Sequence, residues 1–148
     1  MEYEEMNWQD GGRNAMEKAA MVAIFDALTY ISMDEPINVE DLISSLFDDV
    51  AYEDCDPFVK GCLIAVIGHY GEAVKAFNAK MRNWTFDRLN RVEQAILLLA
   101  YVHYFYVEPS DDKGIVIDVA IKQAKVYLEP KDYKFVNAIL DNVLVKGE

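Results

Sequence analysis

Cationic and aromatic side chains alternate near the C-terminal end of the chain, a combination suited to nucleic-acid binding. The set comprises four lysines and two rings: Lys122, Lys125, Tyr127, Lys131, Lys134 and Phe135. Lysines neutralise phosphates and exposed rings stack on bases, so such a set can bind single-stranded RNA. A solvated helical face with Phe135 buried in the core accounts for the same residues. Taken alone, the residues favour this second interpretation.

Histidine and cysteine, the residue types most often used for metal binding and nucleophilic chemistry, are scarce. His69 and His103 are the only histidines, and neither has a second ligand three or four residues away, so no zinc site is predicted. His103 lies in an apolar run, which favours a histidine satisfied in the core or at an interface. Cys55 and Cys62 form no Cys-x-x-Cys pair, which favours reduced thiols.

Signatures of catalysis are also missing from the sequence. The chain has no Gly-x-Ser-x-Gly elbow, no P-loop and no cysteine–histidine nucleophile pattern. Its carboxylates are scattered, and no pair is singled out for acid–base chemistry. We therefore predict a protein that is not an enzyme and that needs no metal or cofactor.

The charge of the chain is strongly negative and unevenly distributed. The formal net charge is −12, and residues 1–56 hold 15 acidic residues against only Arg13 and Lys18. An acidic surface repels RNA unless it faces away from the phosphates, and it attracts a basic protein partner. The first third of the chain therefore argues against RNA binding there, whereas residues 57–148 carry 11 acidic and 12 basic side chains.

Length and composition predict one helical domain. A chain of 148 residues with a hydrophobic fraction of 53% can bury a sizeable core, and its 4 prolines and 7 glycines are few for a turn-rich β fold. The acidic N-terminus has no apolar signal segment. The longest apolar run, residues 95–107, is too short to cross a bilayer. These features predict a cytoplasmic protein without a membrane partner.

Periodicity and capping residues predict the order of the helices. After a flexible acidic segment at residues 1–12, we expect helices at 13–31, 39–50, 57–81, 91–107, 115–128 and 131–145, with a short turn at 85–89. Asn38, Asp56 and Asn90 are the predicted N-caps, and Thr85 is expected to cap the short turn. The fold class is therefore all-α, with about seven helical elements in a single domain, residues 13–148.

Two further expectations concern packing. Gly68 and Gly71 lie inside the third helix, where glycine is unfavourable. We expect them to allow a close approach of another helix, with a kink as the alternative. The residues predicted to be buried in the core are Trp84, Leu89, Ile96, Leu99, Val102 and Val136.

Three blocks of the sequence resemble the C-terminal half of the NusB family of bacterial transcription antitermination factors. The family pattern NW-x-x-x-R-[LI]-x-x-V-[DE]-x-A-I-L-x-L-A corresponds to residues 83–100, and A-[IV]-x-x-A-K corresponds to residues 120–125. The most specific block, K-F-V-N-G-[VI]-L, is matched by residues 134–140 at six of seven positions, with Ala138 for the glycine. The resemblance covers residues 13–145, strongly after residue 83 and weakly before residue 56.

The resemblance implies a NusB-like bundle of two packed subdomains, residues 13–82 and 83–148. It implies a non-catalytic factor that binds boxA-type RNA of ribosomal operon leaders together with the small-subunit ribosomal protein NusE, within the RNA polymerase antitermination complex. The RNA-binding residues would be Arg13, Lys18, Lys122, Lys125, Lys131, Lys134 and Phe135. Arg88 and Glu93 would lie near the ribosomal protein.

The first helix departs from the family pattern. NusB proteins place an arginine-rich segment there, whereas this chain has only Arg13 and Lys18, and Glu17 falls where an arginine is expected. The Glu17→Arg substitution is therefore expected to strengthen RNA binding. Two alternatives follow from the resemblance. One is a protein–protein interaction module with weakened or lost autonomous RNA binding, and the other is an RNA-recognition domain split from a NusB-like rRNA cytosine methyltransferase.

Overall fold

The computed structural model describes residues 12–47 and 50–146, and this part of the chain contains helices and no strand. It has six α-helices: α1 at Gly12–Ser32, α2 at Val39–Leu46, α3 at Pro57–Lys80, α4 at Arg91–Val102, α5 at Lys113–Tyr127 and α6 at Pro130–Val143. Two 3₁₀ turns lie at Tyr52–Asp54 and Phe86–Arg88, and a π-helical turn, His103–Val107, continues α4. The predicted all-α class is confirmed. The predicted flexible segment, residues 1–12, lies almost entirely outside the described residues.

Side-chain caps start three of the helices where the sequence predicts them. The Asn38 carboxamide oxygen accepts from the backbone N–H of Asp41, and the Asp56 carboxylate accepts from that of Phe58. The Asn90 carboxamide oxygen accepts from the backbone N–H of Glu93 and starts α4. Each cap satisfies a backbone donor that the first helical turn leaves free. The predicted cap at Thr85 is wrong, because its hydroxyl donates to the Asp87 side chain instead.

The centre of the fold is α4, which packs against α1, α3, α5 and α6. All eight of its residues from Ala95 to Val102 are buried. One continuous apolar cluster joins residues of all six helices, so both predicted subdomains share a core. Within the described residues, none of the helices combines the length and the hydropathy needed to cross a lipid bilayer.

Gly68 and Gly71 of α3 do not serve helix packing. A Cβ atom built on Gly68 or Gly71 meets no heavy atom within 4 Å, and both residues are exposed. The expected close approach of another helix is therefore wrong. Instead, the backbone of His69 leaves helical geometry, with φ −122° and ψ 17°, which bends the helix. Flexible residues flanking this position are a common cause of helix kinks.

The kink in α3 faces the π-helical turn that follows α4. The rings of His69 and Tyr106 stack with centroids 3.8 Å apart. Glu72 accepts hydrogen bonds from the hydroxyls of Tyr101 and Tyr106, at 2.7 and 2.5 Å. Both irregular turns therefore meet in one aromatic and acidic cluster.

Most of the predicted core is buried. Ile96, Leu99, Val102 and Val136 are at most 1% exposed, and Leu89 packs partly buried against the core. Trp84 is the exception, since it is 48% exposed.

Candidate nucleic-acid interface

Three exposed lysines, Lys125, Lys131 and Lys134, lie beside the turn between α5 and α6. Pro130 opens α6 directly after the end of α5, so Lys125 at the end of one helix lies near the start of the next. The Lys125 ammonium lies 5.6 Å from the centre of the Tyr133 ring. Lys131 and Lys134 are exposed, and neither forms an ion pair with any described residue. Their charges are therefore available to a ligand.

Phe135 lies at the edge of this surface. Its ring is partly buried and packs against the core cluster, while the next residue, Val136, is fully buried. The alternative that Phe135 is a fully buried core residue does not hold, since the residue is only partly buried. Its role as a stacking ring stays a prediction. The ring is anchored on one side and retains accessible area on the other.

The basic residues of α1 and the middle of α5 are in a different position, because a buried glutamate binds them. Glu17 has a side chain only 7% exposed, and it accepts from the Arg13 guanidinium at 3.1 Å. Its other carboxylate oxygen lies 3.4 Å from the Lys122 ammonium, which also donates to the Asn14 side chain at 2.6 Å. Gln123 donates to the backbone carbonyl of Glu17 and completes the contact between α1 and α5.

Arg13 also closes a network at the far end of α4. Its guanidinium bonds the Glu108 carboxylate and lies over the Phe58 ring, 4.0 Å from the ring centre. The buried His103 places Nε2 at 3.1 Å from Glu108 and at 2.9 Å from Asp111. The hydrogen bond from His103 lowers the pKa of Asp111. His103 is thus a satisfied core histidine, as the sequence predicts.

The ligand atoms of His103, Glu108 and Asp111 lie within 4.8 Å of one another, a spacing that a divalent cation can use. The positive charge of Arg13 already meets Glu108 there, so hydrogen bonds and ion pairs account for the arrangement. Both cysteines are buried free thiols, and burial raises the pKa of Cys55 to about 11. Burial raises the pKa of Cys62 as well. A thiol that stays protonated is a poor nucleophile.

The two residues expected to face a protein partner lie in unlike surroundings. Arg88 is exposed, and its guanidinium lies 5.0 Å from the centre of the Trp84 ring. Glu93 is only 4% exposed, and burial together with the nearby Asp132 raises its pKa to about 7. The Glu93 side chain offers almost no surface in this structure, and a partner-binding role for either residue stays a prediction.

The structure therefore divides the sequence-predicted RNA-binding residues into two groups. Lys125 in the last turn of α5 and Lys131, Lys134 and Phe135 in the first half of α6 all lie beside the α5–α6 turn. Arg13 and Lys122 are held by Glu17, and Lys18 lies half-buried on α1. The pairing of Arg13 with Glu17 can be predicted from the sequence, because residues four apart on a helix are neighbours. The pairing of Lys122 with Glu17 cannot be predicted from the local sequence, since it depends on the packing of α5 on α1.

Comparison with known proteins supplies the identification. A model of the NusB family matches residues 57–145, which is more than half of the chain. The chain belongs to the NusB family. The transcription antitermination protein NusB of Bacillus subtilis is 31% identical over 131 residues, covering 88% of this chain and 92% of that protein. The NusB protein of Finegoldia magna is 32% identical over 91 residues, covering 62% of this chain and 66% of the relative's length.

The fold agrees with that of a solved member of the NusB family. The structure of T. maritima NusB superimposes with a TM-score of 0.74, covering 88% of this chain and 89% of that one. The two sequences are 23% identical, so the comparison supports the NusB fold.

Proposed function

We propose that this chain is a non-catalytic transcription antitermination factor that binds boxA-type RNA of ribosomal operon leaders together with the ribosomal protein NusE. In the family, this activity belongs to the RNA polymerase antitermination complex. One observation carries the proposal: in a NusB-family chain, the turn between α5 and α6 presents Lys125, Lys131 and Lys134, none of them paired with an acid among the described residues, together with a partly exposed phenylalanine in the first half of α6.

The chemistry of this surface fits single-stranded RNA. Lys125, Lys131 and Lys134 supply cations for phosphates, and the ring of Phe135 supplies a face for an unpaired base. The Phe135 ring is held by its packing on the core, so little freedom is lost when a base stacks on it.

The test is a titration of boxA-type RNA over a series of salt concentrations, with and without the ribosomal protein. The Phe135→Ala change is expected to cost about 1–3 kcal/mol of binding free energy, because a stacking face is lost. Lys131→Ala and Lys134→Ala are each expected to reduce the slope of log K against log salt by about 0.7, because one phosphate contact is lost.

Lys75→Ala serves as the matched control, since it removes an exposed cation from α3. Unchanged RNA binding in the Phe135, Lys131 and Lys134 variants would place the RNA elsewhere. Loss of helical circular dichroism in Phe135→Ala would show that the ring acts as a core residue.

A second candidate function is a protein-interaction module with weakened RNA binding of its own. The favouring observation is Glu17, which neutralises Arg13 and Lys122 on the face where the family resemblance expects RNA. A basic partner would be attracted by the acidic first third of the chain and would raise the local concentration of RNA. RNA affinity that is measurable mainly with the ribosomal protein present supports this version. Tight binding by the isolated chain supports the autonomous one.

A further inference from the structure

The Asn-Trp pair that opens the first of the three family blocks, residues 83–100, has no part in the proposed RNA contact at α6. Trp84 is 48% exposed, because Phe86, two residues later, occupies the core position of this segment. Phe86 is fully buried and stacks on Phe77, with ring centres 5.6 Å apart. Its backbone N–H donates to the Asn78 side chain at 2.8 Å. The segment is therefore anchored through Phe86, and Trp84 remains at the surface.

The surroundings of Trp84 are positively charged, in contrast to the protein as a whole. Residues 80–91 contain four basic side chains, Lys80, Arg82, Arg88 and Arg91, against the single acid Asp87. Lys80, Arg82 and Arg88 are exposed, and in the described structure none of them forms an ion pair. The Arg88 guanidinium lies over the Trp84 ring at 5.0 Å from its centre.

This segment lies at the same end of the molecule as the lysines of α6. Glu93 in the first turn of α4 lies close enough to Asp132 in the first turn of α6 for the two charges to interact. Trp84 and Arg88 directly precede α4, while Lys131 and Lys134 flank Asp132. Both basic segments therefore adjoin the N-terminal ends of two helices that pack together, α4 and α6.

We propose that Trp84, with Lys80, Arg82 and Arg88, forms a second contact for single-stranded RNA, in which a base stacks on Trp84 and the cations hold the flanking phosphates. For Arg88 this role replaces the partner-facing one that the family resemblance implies. The contact rests on the proposed function, since it extends the bound RNA from α6 toward the start of α4. An acidic protein segment matches the charge of this surface, but its carboxylates do not stack on a flat exposed ring. A nucleotide gains from both, because its phosphate meets the cations and its base stacks on the ring.

The test uses Trp84 as its own reporter. The only other tryptophan is Trp8, so the Trp8→Phe chain carries a single fluorophore at the proposed contact. A 12-nucleotide oligouridylate is titrated into this chain at low salt. Stacking of a base on Trp84 is expected to quench its fluorescence to saturation. The RNA concentration at half-quenching should equal the midpoint of binding measured by the anisotropy of a labelled oligonucleotide.

Substitutions separate stacking from general charge. Trp84→Ala is expected to weaken oligouridylate binding about fivefold or more, and Trp84→Phe, which keeps a ring, less than that. Arg88→Lys keeps the charge but loses the planar guanidinium. It should therefore weaken oligouridylate binding and leave the slope of log K against log salt nearly unchanged. Tyr106→Ala is the matched control, because it removes another exposed ring at the opposite end of α4, beside Glu72, and it should leave binding within about twofold.

The outcomes keep this contact distinct from the one at α6. Loss of affinity in Trp84→Ala with no change in Phe135→Ala supports the contact at Trp84 and contradicts the proposed RNA site at α6. Loss in Phe135→Ala with no quenching and no change in Trp84→Ala overturns the contact and leaves the proposed function standing. Quenching by a hexaglutamate peptide at equal or lower concentration than by RNA also overturns it, since the surface would then bind acidic chains in general.

Discussion

Two buried glutamates show how the same residue type acquires opposite properties from its neighbours. Glu17 lies between the cations of Arg13 and Lys122, which pair with its carboxylate. Glu93 faces no cation among the described residues and has Asp132 nearby, so its charged form is disfavoured. The first glutamate pairs with basic side chains of α1 and α5, and the second makes the start of α4 sensitive to pH.

Glu93 leads to a prediction on stability and pH. Its pKa is raised from the usual value near 4.5 to about 7 in the folded protein. Between these values the folded state keeps a proton that the unfolded state has released, so this group lowers stability as the pH rises from about 4.5 to 7. Glu93→Gln should therefore increase the free energy of unfolding by about 1–3 kcal/mol at pH 8 and change it little at pH 4.5.

Urea denaturation at the two pH values measures this difference. Glu40→Gln is a suitable control, because Glu40 is an exposed acid in the first turn of α2. An equal gain at both pH values in Glu93→Gln would contradict the assignment, since the effect would then not depend on proton release.

Glu17 leads to a prediction on RNA affinity, and the structure changes the variant that tests it. The Glu17→Arg change suggested by the family pattern would place a third cation at a buried site between Arg13 and Lys122, which would destabilise the contact of α1 with α5. Glu17→Gln keeps the shape and removes the charge. It should strengthen RNA binding by the isolated chain more than Glu40→Gln does, in a low-salt titration. Equal effects of the two changes would mean that the α1 face does not meet RNA.

At the scale of elements, the bend in α3 is the alternative that the sequence left open at Gly68 and Gly71, and it carries a stability prediction. Gly71 lies in a helix with no neighbour near its missing Cβ, so alanine adds no clash and reduces the entropy lost on folding. Gly71→Ala should raise the free energy of unfolding by about 0.5–1 kcal/mol, measured by urea denaturation. A lower stability would instead indicate the close helix contact that the sequence suggested.

At the scale of the whole molecule, the shared core implies cooperative unfolding. Leu99 in α4 is 1% exposed, within the helix that packs against α1, α3, α5 and α6. Leu99→Ala should cost about 2–5 kcal/mol, and the protein should still unfold in a single transition. The exposed Ile115→Ala is the control, with an expected change within about 0.5 kcal/mol.

Thermal denaturation followed by circular dichroism and by intrinsic fluorescence checks this expectation. Two separate transitions in Leu99→Ala would show that the predicted subdomains, residues 13–82 and 83–148, unfold independently. The division of the chain into these subdomains remains a prediction.

Local features of the fold followed from the sequence. The caps at Asn38, Asp56 and Asn90 join residues two or three positions apart, so side-chain type and spacing suffice to predict them. The apolar run of α4 predicted a buried helix for the same reason. The sequence also contained the family blocks that indicated NusB, and it grouped the lysines around the α5–α6 turn.

The tertiary structure alone decided which of these residues are accessible or charged. Trp84 is exposed because Phe86 fills the core against Phe77, and Glu17 is occupied because α5 brings Lys122 to it. Glu93 has a raised pKa because the fold buries its side chain and because the first turn of α6 brings the charge of Asp132 near it. Burial and electrostatic interaction depend on distances between residues far apart in the chain, and the local sequence pattern does not contain those distances.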